Sequence, residues 1–142
     1  MLKSGIKRIL VPLDGSKNSI RGLESAIYLA RQCQATITGI YVLPRSPVRS
    51  YRAIQYPEKE LLKDADRSME YAKKYAAQHG IVFEKKVLFG DPGFTIVKYA
   101  GSKKFDIIVI GARGRSSIKE VFFGSVSNYV LHKAGMPVLV VK

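Results

Sequence analysis

Five short apolar runs recur along the chain, and successive runs are separated by segments whose apolar residues fall three and four positions apart. KRILVPL, ATITGIYVL, IVFEKKVLF, FDIIVIG and MPVLVVK read as strands. Between the first two, Ile20, Leu23, Ile27 and Ala30 share one helical face. Leu62, Ala65, Met69, Ala72 and Ala76 repeat the pattern, and Gly80 is placed to stop that helix. Asp91 and Pro92 have the form of an N-cap and a first-turn residue, with Phe94, Val97 and Ala100 continuing an apolar stripe. Ser125 to Ala134 carries Val126, Val130 and Ala134 four apart, before Gly135 and Pro137 break it and open the last strand. Strands alternate with helices, and several strands are apolar at consecutive positions. The expectation is a doubly wound α/β domain with a mainly parallel five-stranded sheet and helices on both faces.

The length of 142 residues suits one such domain, spanning 1–142, with no second core. No apolar run approaches the roughly 20 residues that span a bilayer, so a cytoplasmic protein without a membrane partner is expected. Cys33 is the only cysteine, which excludes an intrachain disulfide, and it lies among helix formers as a passive thiol. The 24 Lys and Arg against 11 Asp and Glu give a formal charge of +13, enough to bring a nucleic-acid partner into consideration. The basic residues are nonetheless scattered, and no aromatic-interleaved RNA motif accompanies them. A solvated basic surface is the simpler reading. Pro44 to Pro57 has no helical or strand period and reads as a loop, basic between Arg45 and Arg52.

In open parallel sheets, ligands sit beyond the carboxyl ends of the strands where the winding reverses, which directs attention to the loops after strands one and four. The first holds Pro12, Leu13, Asp14, Gly15 and Ser16. Asp14 either caps the following helix together with Ser16, or accepts hydrogen bonds from ligand hydroxyls, or meets a metal through water. The second is GARGRSSIKEVFFGS, with Gly111 and Gly114 separated by two residues and Gly124, followed by Ser125, reached after nine more. Glycine permits close approach of backbone N–H groups to an anion and positive φ. Gly124 and Ser125 also fall where a helix begins, so the positive helix end faces the same region. Ser125 and Ser127 add hydroxyl donors, and Arg113, Arg115 and Lys119 add charge. These parts fit a polyphosphate cradle, although neither the usual P-loop spacing nor GxGxxG is present.

This stretch, GxxGx9G followed by Ser, resembles the nucleotide motif of the ATP-binding members of the universal stress protein family. ILVPLDGS, GDPG, GSVSNYV and PVLVVK extend the resemblance over essentially the whole chain. The resemblance implies strand order 3-2-1-4-5, a homodimer paired through the C-terminal strand, and ATP, with Mg2+, held across strands one and four. It places Asp14 near the ribose, and Pro12, Leu13 and the Val42 backbone around adenine. Gly111 falls by the ribose. Gly114, Gly124, Ser125, Val126 and Ser127 face the phosphates, with Arg113 beside them. No protein residue is assigned as a direct metal ligand, and Asp14 reaches a metal only through water.

The site offers binding groups without a catalytic constellation. His79 and His132 fall at a helix end and inside a helix, away from the strand carboxyl ends, and neither is placed to act as a base. An ATP-binding stress-response switch with an unknown protein partner is therefore favoured over an enzyme. Two alternatives stand beside it: a slow ATPase or phosphotransferase, and a basic nucleic-acid-binding module.

Overall fold

The computed structural model describes residues 5–45, 58–114 and 123–142. Within them the elements run β1 (Arg8–Pro12), α1 (Lys17–Cys33), β2 (Thr36–Leu43), α2 (Glu58–Gln78), β3 (Phe83–Phe89), α3 (Pro92–Ser102), β4 (Ile107–Gly111), α4 (Ser125–Lys133) and β5 (Val138–Val141). All strand pairs are parallel, in the order β3-β2-β1-β4-β5.

Three helix ends fall on residues with a physical reason to be there. Ser16 caps α1, its hydroxyl accepting the Ser19 N–H at 3.1 Å. Gly80, at φ +74°, lies just beyond α2 in the left-handed turn that ends a helix cheaply only for glycine. The Asp91 carboxylate caps α3 by accepting the Phe94 N–H at 3.2 Å, and Pro92 supplies the preset φ of its first turn.

The helices bury two separate cores, one on each face of the sheet. On one face Leu23, Ile27, Ala65, Met69 and Ala72 of α1 and α2 pack on Ile9, Val11, Ile37 and Val109. On the other, Ile96, Ala100 and Val130 of α3 and α4 pack on Leu10, Ile40, Ile108 and Ile110. Alternate residues of the central strands thus serve both cores, which is why β4, and β1 beyond Arg8, carry no polar side chain.

Two helix faces differ from the sequence expectation. Leu62 is exposed, and Leu61 packs against the core instead, four residues before Ala65. In α3 the buried stripe is Gly93, Ile96 and Ala100, and Phe94 points outward with 54 % of its surface exposed. The cause is the contact with α4: a Cβ at residue 93 would lie 2.8 Å from Cδ1 of Tyr129, so the bare backbone of Gly93 seats α3 against that ring and turns Phe94 to solvent. Of the basic loop, Arg45 is described and exposed, while residues 46–52 lie outside the described residues, as do Arg115 and Lys119.

Candidate functional site

The sheet opens at its carboxyl edge between β1 and β4. Paired positions of β1 with β2 run from Arg8 to Pro12, but those with β4 stop at Leu10 and Ile108. Pro12 has no N–H with which to continue a ladder, so the two central strands part there and leave a crevice. It is the point where successive crossovers lead to opposite sides, the expected ligand position for this topology.

One end of the crevice is built from backbone polar groups held by side chains of α1 and α4. The Ala112 carbonyl accepts the Gly124 N–H at 2.6 Å and the Ser127 hydroxyl at 2.6 Å. The Arg113 N–H, on the same peptide plane, donates to Asn18 Oδ1 at 2.6 Å. The start of α4 is thereby locked against the exit of β4. Gly124 is the N-cap residue and contributes no side-chain bond to the helix, so the first N–H groups of α4, which no helix satisfies internally, lie at this end. Ser127 is buried, with its hydroxyl committed to Ala112. The expectation of two hydroxyl donors is corrected on that point: Ser127 shapes the cradle, and Ser125 is the exposed one.

The three glycines of the motif also work differently from the expectation of positive φ. Among the described residues, the positive-φ glycines are Gly5, Gly15, Gly80 and Gly90. At Gly111 and Gly114 the constraint is close approach. A Cβ at 111 would lie 2.6 Å from the Asn18 carbonyl oxygen, and one at 114 would lie 2.5 Å from Asp14 Oδ2. Gly124, at φ −74°, would give a Cβ only ordinary contacts, 3.5 Å or more from Arg113 and Ala112. Nothing within the described protein therefore demands glycine at 124.

Asp14 serves its own loop as well, with Oδ1 accepting the Ser16 N–H at 2.9 Å, while its carbonyl accepts the Tyr41 hydroxyl at 3.2 Å. Capping turn and crevice wall are thus the same residue. Beyond it the crevice becomes apolar, lined by Leu13, Ile40, Val42, Pro92, Ile96 and Ile110. The cavity measures about 260 Å³, and its lining includes Pro12, Leu13, Asp14, Val42, Gly111, Arg113, Gly114, Gly124, Ser125, Val126 and Ser127. The eleven residues that the resemblance places at the nucleotide all line this one cavity, while Arg115 and Lys119 lie outside the described residues.

Residues 5–142 match the universal stress protein family. The chain belongs to that family. A universal stress protein of Methanocaldococcus jannaschii is 36 % identical over 139 residues, covering 96 % of this chain and 82 % of the relative. Among solved structures, universal stress protein UspA from Lactobacillus plantarum superposes with a TM-score of 0.87 at 27 % identity, over 99 % of this chain and 100 % of that one. A universal stress protein solved in complex with cAMP gives 0.78 at 25 % identity, covering 98 % of this chain and 99 % of that one.

In this universal stress protein, Ser19, Ile40, Pro92, Ile96 and Ile110 also line the cavity, and the sequence reading did not include them. Ile40 was legible, since it lies two residues before Val42 on the same side of a strand. Ile96 was masked by the misplaced stripe of α3. A wider groove of about 640 Å³ lies between α1 and α2, but its wall mixes Lys17, Arg21 and Arg67 with Glu24 and brings no set of backbone donors together. His79 and His132 are exposed, their Nδ1 atoms against the carbonyls of Tyr75 and Asn128, each four residues earlier. Among the described residues no group of His, Cys, Asp and Glu could hold a metal ion, and no helix is long and apolar enough to cross a membrane.

Proposed function

We propose that this universal stress protein binds ATP, or a related adenine nucleotide, in the β1/β4 crevice and acts as a nucleotide-dependent regulatory switch in the stress response. The observation that carries this reading is the polarity of one cavity: helix-start N–H groups at one end and an apolar slot at the other. A triphosphate suits the first and a purine the second. The complex of a relative with cAMP supports the same class of ligand.

In this reading Leu13, Pro12, Val42 and Ile96 border the base, and Asp14 faces the ribose or, through water, a Mg2+ ion. Gly114, Gly124, Ser125, Val126 and the Ser127 N–H receive the phosphates, with Arg113 alongside. Residues 1–142 form one nucleotide-binding domain, working in the cytoplasm. Because the residues of the crevice bind and orient without an obvious general base, any hydrolysis is slow. The nucleotide content of purified protein after denaturation tests the proposal: an adenine nucleotide near one per chain supports it, and failure of added ATP to bind or stabilise the protein sinks it.

A homodimer is part of the proposal. β5 is an edge strand of four apolar residues, and Leu139 is 42 % exposed, so a second copy covers it most economically. Removal of residues 138–142 is expected to abolish the dimer, and sedimentation of the full chain as a monomer at micromolar concentration would refute it. The charge of +13 keeps nucleic-acid binding as the second reading. Its mark is an affinity that falls steeply with salt, whereas nucleotide held by backbone N–H groups depends chiefly on the base.

A further inference from the structure

The Ala112–Arg113 peptide is gripped from both sides. Its carbonyl takes the Gly124 N–H and the Ser127 hydroxyl from the α4 side, and its N–H donates to Asn18 Oδ1 on the α1 side. A peptide unit is rigid and planar, so fixing both poles fixes its orientation and, with it, the direction in which the chain enters Gly114. Asn18 stands in the first turn of α1, two residues after the Ser16 cap, where an asparagine adds nothing to helix stability by propensity. What it does there is reach across to β4. Gly111 and Gly22 make that reach possible: a Cβ at 111 would lie 2.8 Å from Asn18 Oδ1, and one at 22 would lie 3.1 Å from the Gly111 nitrogen. Both bare positions let α1 lie directly on the exit of β4.

We propose that Asn18 is a positioning residue for the phosphate end of the crevice: by holding the Arg113 N–H it sets the backbone that faces a polyphosphate, without touching the ligand. The inference rests on the adenine-nucleotide reading above and adds a division of labour to it. The base slot of Leu13, Val42 and Ile96 is formed by other elements and does not depend on Asn18.

Titration calorimetry with adenosine and with Mg-ATP, on wild type and Asn18→Ala, separates the two ends. The expected result is ATP affinity about tenfold weaker in the variant, and adenosine affinity unchanged within about twofold. Hydrogen exchange in the nucleotide-free protein gives a second readout. The Arg113 amide exchanges faster in Asn18→Ala, while Ile108 to Ile110 in β4 keep their protection, which shows that the fold is intact. Asn18→Asp retains an acceptor oxygen at the same reach and restores the Arg113 protection. Equal losses of ATP and adenosine affinity, or an Asn18→Ala protein that binds ATP as wild type does, would overturn the role of Asn18 and leave the nucleotide reading standing. A wild type that binds neither ligand overturns both.

Discussion

The crevice between β1 and β4 and the sheet edge at β3 use polar groups in opposite ways. At the crevice the working groups are backbone, and the side chains that hold them, Asn18 and Ser127, are neutral and partly or wholly buried. At β3 the polar groups are exposed charges: Lys85 contacts Asp66 at 2.7 Å and Glu70 at 2.6 Å, tying the edge strand to α2. Neutral buried hydrogen bonds fix geometry that salt does not screen, whereas exposed ion pairs are individually weak and salt-sensitive. If the proposed site holds a nucleotide, the difference teaches that net charge is a poor guide to where an anion binds. The charge of +13 is scattered along the sequence, whereas the proposed phosphate end relies on the direction of N–H groups.

The sharpest way to break that contrast is to set a glycine against lysines. Mg-ATP at about 100 times its dissociation constant stabilises a binding-competent fold by about 2.7 kcal/mol. For a domain of this size that corresponds to a rise of roughly 5–10 °C in melting temperature. Gly124→Val is expected to remain folded, because a Cβ there meets only ordinary contacts, and to lose the ATP shift, because the side chain intrudes where a phosphate approaches the helix start. Lys103→Glu with Lys104→Glu, exposed at the far end of α3, is expected to keep it. Thermal melts with and without Mg-ATP decide the matter. If the lysine pair loses the shift and the valine variant keeps it, anion binding belongs to the charged surface and the contrast collapses.

A smaller effect comes from Asp14, the one carboxylate among the described residues that line the crevice. Asp14→Asn leaves an oxygen able to accept the Ser16 N–H, so the turn survives while the charge is lost. The expected weakening of Mg-ATP binding is about tenfold, measured by calorimetry. Turnover is expected to stay far below the enzyme median of roughly 10 per second in both proteins. Wild-type turnover near that median, abolished in a variant that still binds, would replace the switch with an enzyme.

The contrast also explains which parts of the molecule were legible in the sequence. The alternation of apolar periods was enough for the architecture, because most positions of β1, β2 and β4 are buried from both faces and are apolar. GxxGx9GS was legible as a location, since glycines at a strand exit and a helix start leave few other roles. Their reasons were not legible. The need for glycine at 111 and 114 comes from Asn18 and Asp14, residues about a hundred positions away in sequence, and spacing within the motif carries no trace of them. Ser127 was read as a donor to a ligand because its inward neighbour, the Ala112 carbonyl, is a tertiary contact. Phe94 was read as buried because Phe, Val and Ala at three-residue spacing look like a stripe, and only the Tyr129 ring against Gly93 decides otherwise. Asn18 belongs to no motif. A polar residue in the first turn of a helix is ordinary until the strand it faces is known.

The smallest expected effect lies at the β3 edge, and it sharpens the comparison by its size. Hydrogen bonds to Asp66 first and to Glu70 next raise the Lys85 pKa from the usual 10.5 to about 12. A cation whose pKa is raised by folding stabilises the fold fully below its unfolded value, so this contribution is constant at neutral pH. It fades as pH climbs from 10.5 through about 12, where the folded-state ammonium itself deprotonates. Other lysines and tyrosines titrate in the same window, so the quantity to follow is the difference in melting temperature between wild type and Lys85→Met. That difference is expected to be below about 2 °C at pH 7, to shrink in high salt, and to fade as the pH climbs from 10.5 through about 12. ATP affinity is expected to be the same in both proteins, because the crevice holds its N–H groups through Asn18 and Ser127 with no charge from the β3 edge. A larger difference that persists at high salt would mean that Lys85 is a structural clamp for α2. The two regions would then differ in degree and not in kind.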